Sequence, residues 1–127
     1  YNVLDRRLET SGWLQRIYDE NVELHIRSIF LQGLLLMNED TRPEKFNQWS
    51  DIWKCWATWL KDNNITPLQA AVSFALSDSR ISKVIIGVDS VDHLKEIIKA
   101  VNHNGHFPEM PDVTDTRLLN PSEWFLL

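Results

Sequence analysis

The chain has 127 residues, 43% of them hydrophobic and 24% charged, and a formal net charge of −5 at pH 7. This length supports one domain with a modest core, and the acidic balance argues against sequence-independent nucleic-acid binding. The single cysteine, Cys55, excludes an internal disulfide framework and fits a reducing cytosol.

The apolar runs and the N-terminal residues indicate the cellular location of the protein. The runs around Ile29 and Leu35 are far shorter than the roughly 18 residues of a membrane span, and no secretory signal is visible. We therefore expect a cytoplasmic location and no membrane partner. Because the first residue is Tyr1 rather than methionine, we expect a truncation of a longer protein rather than a natural short one.

The first predicted elements are a helix and a strand. Apolar residues at helical spacing predict a helix over 9–20. A β-branched, apolar run predicts a strand over 24–30, which Gly33 breaks. Residues 38–42 are polar and indicate a loop.

A long aromatic helix follows, from Pro43 to Asn63-Asn64. One face of it carries Phe46, Trp49, Trp53, Trp56 and Leu60. Because Trp49, Trp53, Trp56 and Trp59 share this helix, packing against a barrel wall or a neighbouring chain is favoured over stacking on bases or sugars.

The second half predicts a helix, a short strand and another helix. Thr66 caps the first helix, with Pro67 in its first turn. Residues 83–86 form a strand that is apolar on both faces, which is typical of a strand covered on both sides. Ser90 caps the last helix, which Asn104-Gly105 closes.

This order of elements predicts one α/β domain over 1–127. The strands should pair in parallel, since helical crossovers join them. We expect β/α units over 1–105 and a proline-containing tail over 106–127, laid over the body.

Two loops after strands are candidate phosphate sites. Gly87-Val88-Asp89-Ser90 leads into a helix N-terminus, whose N–H groups and dipole attract anions, and glycine permits a positive φ there. An ordinary βα turn with a serine cap explains the same residues, and Asp89 and Asp92 compete with a phosphate. The loop over 28–33 could present N–H groups and the Ser28 hydroxyl to a pyrophosphate, although a plain glycine turn is an equal alternative.

Other constellations are weaker. His103 and His106 flank an Asn-Gly turn without a cysteine, which is a poor metal-ligand frame, so we expect no metal. Asp89, Ser90 and His93 crowd one turn and cannot form a nucleophile–base–orienter line. No glycine-rich dinucleotide fingerprint is present.

In this order and spacing, the segments resemble the C-terminal half of the aldo/keto reductase family. YNVLDRR (1–7) is similar to the end of the sixth barrel strand and its exit loop, and SIFLQGLL (28–35) to the loop after the seventh. Segments 66–76 and 85–96 resemble the eighth β/α step with its adenosine-phosphate loop. The tail LLNPSEW (118–124) is similar to that of members linked to surface-polysaccharide and nucleotide-sugar pathways.

The resemblance implies the C-terminal portion of a (β/α)8 TIM barrel, about strands six to eight, that binds NAD(P)H and reduces aldehydes or ketones. The family's catalytic Asp, Tyr, Lys and His would all lie before Tyr1, so no catalytic residue is expected in this chain. Residues carried over to the pyrophosphate region are Ser28, Phe30, Gln32 and Gly33. Those carried over to the adenosine are Gly87, Asp89, Ser90, His93 and Glu96.

Two positions depart from the family pattern. Arg27 stands where many members place an aromatic ring under the nicotinamide. Asp89 stands where NADP-preferring members often have Arg or Ser. A carboxylate suits a ribose 2′-hydroxyl and repels a 2′-phosphate, which favours NAD(H).

Two functions remain open. The chain is either the cofactor-binding part of an oxidoreductase, inactive alone while its parent binds a small carbonyl substrate, or a non-catalytic half-barrel that pairs with the rest of the barrel or a second half-barrel. Pairing would cover open sheet edges, with the tryptophan-lined helix supplying apolar surface.

Overall fold

The computed structural model of the chain describes residues 1–102 and 110–127. The strands are β1 (His25–Arg27) and β2 (Lys83–Ile85). The α-helices are α1 (Arg7–Thr10), α2 (Trp13–Asp19), α3 (Ser50–Asp62), α4 (Pro67–Leu76), α5 (Val91–Val101) and α6 (Thr116–Leu119). Short 3₁₀ helices cover Leu34–Leu36, Glu39–Thr41, Glu44–Trp49 and Pro121–Leu126.

The sheet confirms the predicted α/β class and parallel pairing. β1 and β2 pair in parallel with His25 opposite Lys83 and Arg27 opposite Ile85, and α3 and α4 lie in the crossover between them. β1 is shorter than the predicted strand because Ser28 already has a φ of 65°, outside the strand conformation.

Only one face of this sheet is covered. Ile26 is buried with Val72 and Ala75 of α4 and Ala100 of α5, so both helices pack on the same face. On the other face Ile85 is 52% exposed. The expectation that the second strand is covered on both sides is therefore wrong for the described residues, since no described element packs on that second face.

Two predicted helices are interrupted. The helix expected over 9–20 is divided into α1 and α2, because Gly12 takes a left-handed φ of 80° between them. The helix expected from Pro43 begins as the 3₁₀ helix Glu44–Trp49 and becomes α-helical at Ser50.

The aromatic helix packs inside the chain. Trp49, Trp53 and Trp56 are buried, and the Trp53 indole N–H donates to the Phe46 carbonyl over 2.8 Å. The surface that covers these three tryptophans is therefore their own chain, whereas Trp59 is partly buried, and its contribution to a partner surface stays a prediction.

The start of α4 confirms its sequence signal. The Thr66 hydroxyl accepts the Gln69 N–H at 3.2 Å, and the Gln69 side-chain oxygen accepts the Thr66 N–H at 3.0 Å. These reciprocal bonds form a capping box, with Pro67 at the first helical position.

The C-terminal segment belongs to the core. Met110, Leu118 and Leu119 are buried in the same cluster as the tryptophans, so the predicted tail contributes to packing. The predicted helix end at Asn104-Gly105 and the paired histidines, His103 and His106, lie outside the described residues. In the described part of the chain, no helix has the length and apolar character needed to cross a membrane.

Candidate functional site

A cavity of about 780 Å³ lies at the carboxyl ends of β1 and β2. This is the edge at which parallel α/β sheets place ligands. The cavity is lined by Arg27, Ser28, Ile29, Phe30, Gln32, Gly33, Leu36, Ile85, Ile86, Gly87, Asp89, His93 and Pro121.

The cavity brings together most of the residues that the sequence singled out. Seven of the nine predicted cofactor-binding residues line it: Ser28, Phe30, Gln32, Gly33, Gly87, Asp89 and His93. Ser90 and Glu96 are exposed and are not among its lining residues. The two predicted loops thus form one site, and the role of each residue in binding stays a prediction.

The loop after β1 has an unusual backbone. Ser28, Leu31 and Gln32 have φ values of 65°, 47° and 54°, and Gly33 follows at 84°. Left-handed backbone is unfavourable for residues with a Cβ, so surrounding packing must stabilise it. Ile29 and Leu31, both buried, supply that packing.

This loop presents main-chain donors. Within the described residues, the N–H groups of Phe30, Gln32 and Gly33 donate to no acceptor. Successive N–H groups beside left-handed residues form a concave anion site. These N–H groups are available to an anion, and the phosphate role of the loop stays a prediction.

Asn2 holds this loop in place and is a residue that sequence reasoning missed. It is 1% exposed. Its Nδ2 donates to the Ser28 carbonyl at 3.1 Å, while its Oδ1 accepts the N–H groups of Leu4 (3.0 Å) and Asp5 (2.9 Å). A buried side chain with all these partners fixes the start of the loop relative to the N-terminal segment.

The loop after β2 differs from its prediction in one respect. Gly87 does not have a positive φ, and a Cβ built on it meets no atom within 4 Å. The predicted use of a left-handed glycine is therefore wrong here, because the chain turns without that conformation. Ser90 caps α5 as predicted, its hydroxyl accepting the His93 N–H at 3.1 Å.

The cavity carries charge of both signs. Arg27 lies on the β1 side, and Asp89 and His93 lie on the β2 side. Within the described residues, neither Arg27 nor Asp89 forms an ion pair or a side-chain hydrogen bond. Both charges are therefore open to a ligand.

Other lining residues had weak sequence signals. Ile85 follows from strand alternation, which places it on the face opposite Val84. Pro121 comes from the C-terminal segment, and nothing in the local sequence indicates that this proline reaches the cavity.

The described part of the chain shows no cluster of side chains that could bind a metal ion. No group of three or more His, Cys, Asp or Glu side chains there could hold an ion.

Comparison with known proteins identifies a matching family. The sequence model of the aldo/keto reductase family matches residues 1–113, which include both cavity loops, β1, β2 and α5. None of the curated protein sequences compared with the chain matches it.

Proposed function

Because the chain belongs to the aldo/keto reductase family, whose members are oxidoreductases with a (β/α)8 barrel, we propose that it is the C-terminal portion of such a barrel and binds NAD(P)H there. β1 and β2 would correspond to strands seven and eight of that barrel, and residues 1–7 to the end of strand six with its exit loop. The proposal rests on one observation: the loops after β1 and β2, which resemble the family's cofactor loops, line the same cavity of about 780 Å³.

The first loop fits a diphosphate. The N–H groups of Phe30, Gln32 and Gly33 donate to no acceptor among the described residues, and these three residues line the cavity. Anion binding by such N–H groups costs little rearrangement. We assign this loop, with Ser28, to the diphosphate.

The second loop fits an adenosine. Gly87 leaves open space where a Cβ would stand, and Asp89 and His93 line the cavity beside it. The Asp89 carboxylate can accept hydrogen bonds from ribose hydroxyls and repels a 2′-phosphate, which favours NAD(H) over NADP(H). Ser90 acts through its cap of α5, and Glu96 lies outside the cavity lining.

In this proposal the residues of the chain bind and orient the cofactor, and they carry out no proton transfer. The bound cofactor would supply hydride to an aldehyde or ketone, and none of the cavity residues is assigned as the proton donor. We expect the isolated chain to be inactive and its parent to act in the cytoplasm. The 118–124 segment supports a place in surface-polysaccharide or nucleotide-sugar metabolism.

A half-barrel that pairs with another chain is the second candidate. An apolar stripe on α5, formed by Val91, Leu94, Ile98 and Val101, is at least 40% exposed at every position. Together with Ile85 on the open sheet face, this stripe favours a covering partner. Light scattering tests it: a monomer at high concentration would exclude obligate self-pairing.

Cofactor titration tests the main proposal. The chain is titrated with NADH and NADPH, and Asp89→Arg should shift the preference toward NADPH by replacing repulsion of the 2′-phosphate with attraction. Asp51→Arg, the same charge change on exposed α3, is the matched control. An unchanged preference in Asp89→Arg would remove the adenosine assignment, and no binding of either nucleotide would remove the cofactor proposal itself.

A further inference from the structure

A further cavity, which we call the α3 cavity, has a volume of about 290 Å³ and lies between residues 37–42 and one face of α3. Its wall on α3 includes Ser50, Trp53, Lys54 and Ala57, whose spacing places them on the same side of the helix. None of its lining residues, all in the described part of the chain, lines the cavity at the carboxyl ends of the strands. The volume is near the lower end of the range typical of small-molecule sites, so the α3 cavity suits a small ligand.

Arg42 gives the α3 cavity a positive charge that the fold does not pair. Its guanidinium lies over the Trp53 ring, with Cζ 4.3 Å from the ring centroid, and its Nη2 donates to the Met37 carbonyl at 3.1 Å. Within the described part of the chain, its buried Nε has no hydrogen-bond partner, and no carboxylate forms an ion pair with the guanidinium. The remaining Nη hydrogens of this side chain are the donors that a bidentate carboxylate requires.

Burial makes this unpaired cation unusual among the arginines. Five others, Arg6, Arg7, Arg16, Arg80 and Arg117, each have a carboxylate partner. Burial lowers the pKa of Arg42, and the nearby Glu39 opposes that shift. A partly desolvated guanidinium gains more from an anion than an exposed one does, because the two charges interact in a medium of lower dielectric constant.

The charges of the α3 cavity favour a ligand with a single negative charge. Its lining cations are Arg42 and Lys54, and its lining acid is Glu39. Lys54 Nζ lies 3.8 Å from Asp51 Oδ1, and because both side chains are highly exposed this pair is weak and leaves Lys54 able to turn toward a ligand. Glu39 repels the second charge of a phosphate more than it disfavours a carboxylate.

The rest of the wall is largely apolar. Trp53 and Trp56 are buried, and Met37, Leu60 and Pro67 also line the α3 cavity. Ligand sites commonly combine such an apolar lining with a few polar groups that fix the orientation of the ligand. The wall therefore suits a ligand whose body is apolar or aromatic and whose charge is at one end.

We propose that the α3 cavity binds a small monocarboxylate with an apolar body, its carboxylate on the Arg42 guanidinium and its body against the apolar wall. This site is separate from the cavity assigned to the cofactor. The inference goes beyond the proposed function and does not depend on it.

Phenylacetate and its uncharged analogue phenylacetamide test the inference by NMR titration of the full 127-residue chain in phosphate-free buffer. The salt concentration is about 0.15 M, which screens exposed charges beyond about 8 Å. Phenylacetate should bind more tightly, and the indole N–H resonances of Trp53 and Trp56 should shift, since both residues line the α3 cavity. Arg42→Met should lower the preference for phenylacetate by about tenfold, as expected for loss of a charge-assisted hydrogen bond, and Arg42→Lys should retain part of it. Arg16→Met, which removes an exposed arginine of α2, should leave the preference unchanged.

A second pair of variants keeps the test decisive if Arg42→Met does not fold. Asn47 is exposed and lines the α3 cavity, so Asn47→Asp adds a negative charge to its wall and should lower the preference for phenylacetate severalfold. Gln48→Glu makes the same charge change at the next residue, which is exposed and is not a lining residue, and should leave the preference unchanged.

Several results would overturn the inference. One is a wild-type chain without preference for phenylacetate; another is a preference that survives in folded Arg42→Met or, where that variant does not fold, in Asn47→Asp. Shifts concentrated at 28–33 and 85–93, or competition with NADH, would place the carboxylate in the cavity assigned to the cofactor. Tighter binding of phenyl phosphate than of phenylacetate would overturn the monocarboxylate class. Failure of NADH to bind would contradict the proposed function alone, because the two cavities share no lining residue.

Discussion

The tryptophan side of this molecule has a larger buried core than the side formed by the sheet with α4 and α5. Among the described residues, the larger hydrophobic cluster unites fifteen buried side chains from the N-terminal segment, the loop after β1, α3, α4 and the C-terminal segment. The smaller cluster, between the sheet and its two helices, has five in the same part of the chain: Ile26, Ile29, Val72, Ala75 and Ala100. Buried apolar area is the main source of stability, so the tryptophan side should dominate the free energy of unfolding.

The two loops that line the cavity differ in how firmly the core holds them. The loop after β1 is anchored in both clusters, through Ile29 in the smaller and Leu31 in the larger. The loop after β2 has no such anchor, since residues 87–90 are all exposed. One wall of the site is thus fixed by the core, while the other is held chiefly by the Ser90 cap of α5.

Trp56→Ala should have the largest effect on this comparison. The indole is 2% exposed, stacks on Trp59, and donates to the Leu35 carbonyl over 3.1 Å. Removing it should cost about 3 to 5 kcal/mol of unfolding free energy in urea titrations. Trp13→Ala, at a tryptophan that is 54% exposed, should cost less than about 1 kcal/mol.

Amide hydrogen exchange on the same variant sharpens the result. If the two sides form one cooperative unit, protection in β1, β2 and α5 should fall together with that in α3. Protection lost only in α3 would show that the sheet side unfolds independently, and equal costs for the two tryptophans would contradict the comparison outright.

Asn2→Leu should have an intermediate effect, concentrated in one loop. The change leaves the Leu4 and Asp5 N–H groups and the Ser28 carbonyl without their partner, which should cost about 1 to 3 kcal/mol per buried unsatisfied group at most and less after relaxation. Backbone chemical shifts should change at 28–33 and not at 87–90. Asn47→Leu, at an exposed asparagine, is the control; equal shift changes in both loops would argue against Asn2 as the anchor of the first.

Acid should weaken the tryptophan side through Asp115. This carboxylate accepts Arg117 at 2.7 Å and the Trp49 indole at 3.1 Å, and these bonds, led by Arg117, lower its pKa from 3.8 to about 2. A lowered pKa contributes stability that is complete above pH 3.8 and is lost as the pH falls toward 2. Thermal melts should show wild type and Asp115→Asn converging over that interval; a constant difference down to pH 2 would exclude the mechanism.

Sequence patterns predicted the elements whose signals are local. Thr66, Pro67 and Ser90 marked helix starts because their side chains or rings act on the adjacent turn, and both starts are confirmed. The parallel pairing followed from the helical crossover. The single helix predicted over 9–20 is wrong because Gly12 takes a left-handed conformation, which helical spacing does not reveal.

The cavity was predictable in its two loops and not in its surroundings. Ser28, Gln32 and Asp89 follow strands, and strand ends of a parallel sheet converge. The left-handed backbone at Ser28 and Leu31 depends on packing by distant residues, as does the buried position of Asn2. The tryptophans show the same limit: an apolar helix face predicts burial but does not say which surface covers it.

The parallel register of the two strands also sets the order in which the chain can fold. Leu24 and Ser82, at the start of the ladder, are separated by 58 residues, so pairing must close a long loop and lose its entropy before any strand hydrogen bond forms. The capping box of α4, by contrast, spans Thr66 to Gln69 and forms without that cost. We therefore expect α3 and α4 to form early and the sheet late, so that the carboxyl-end cavity is the last part of the molecule to assemble.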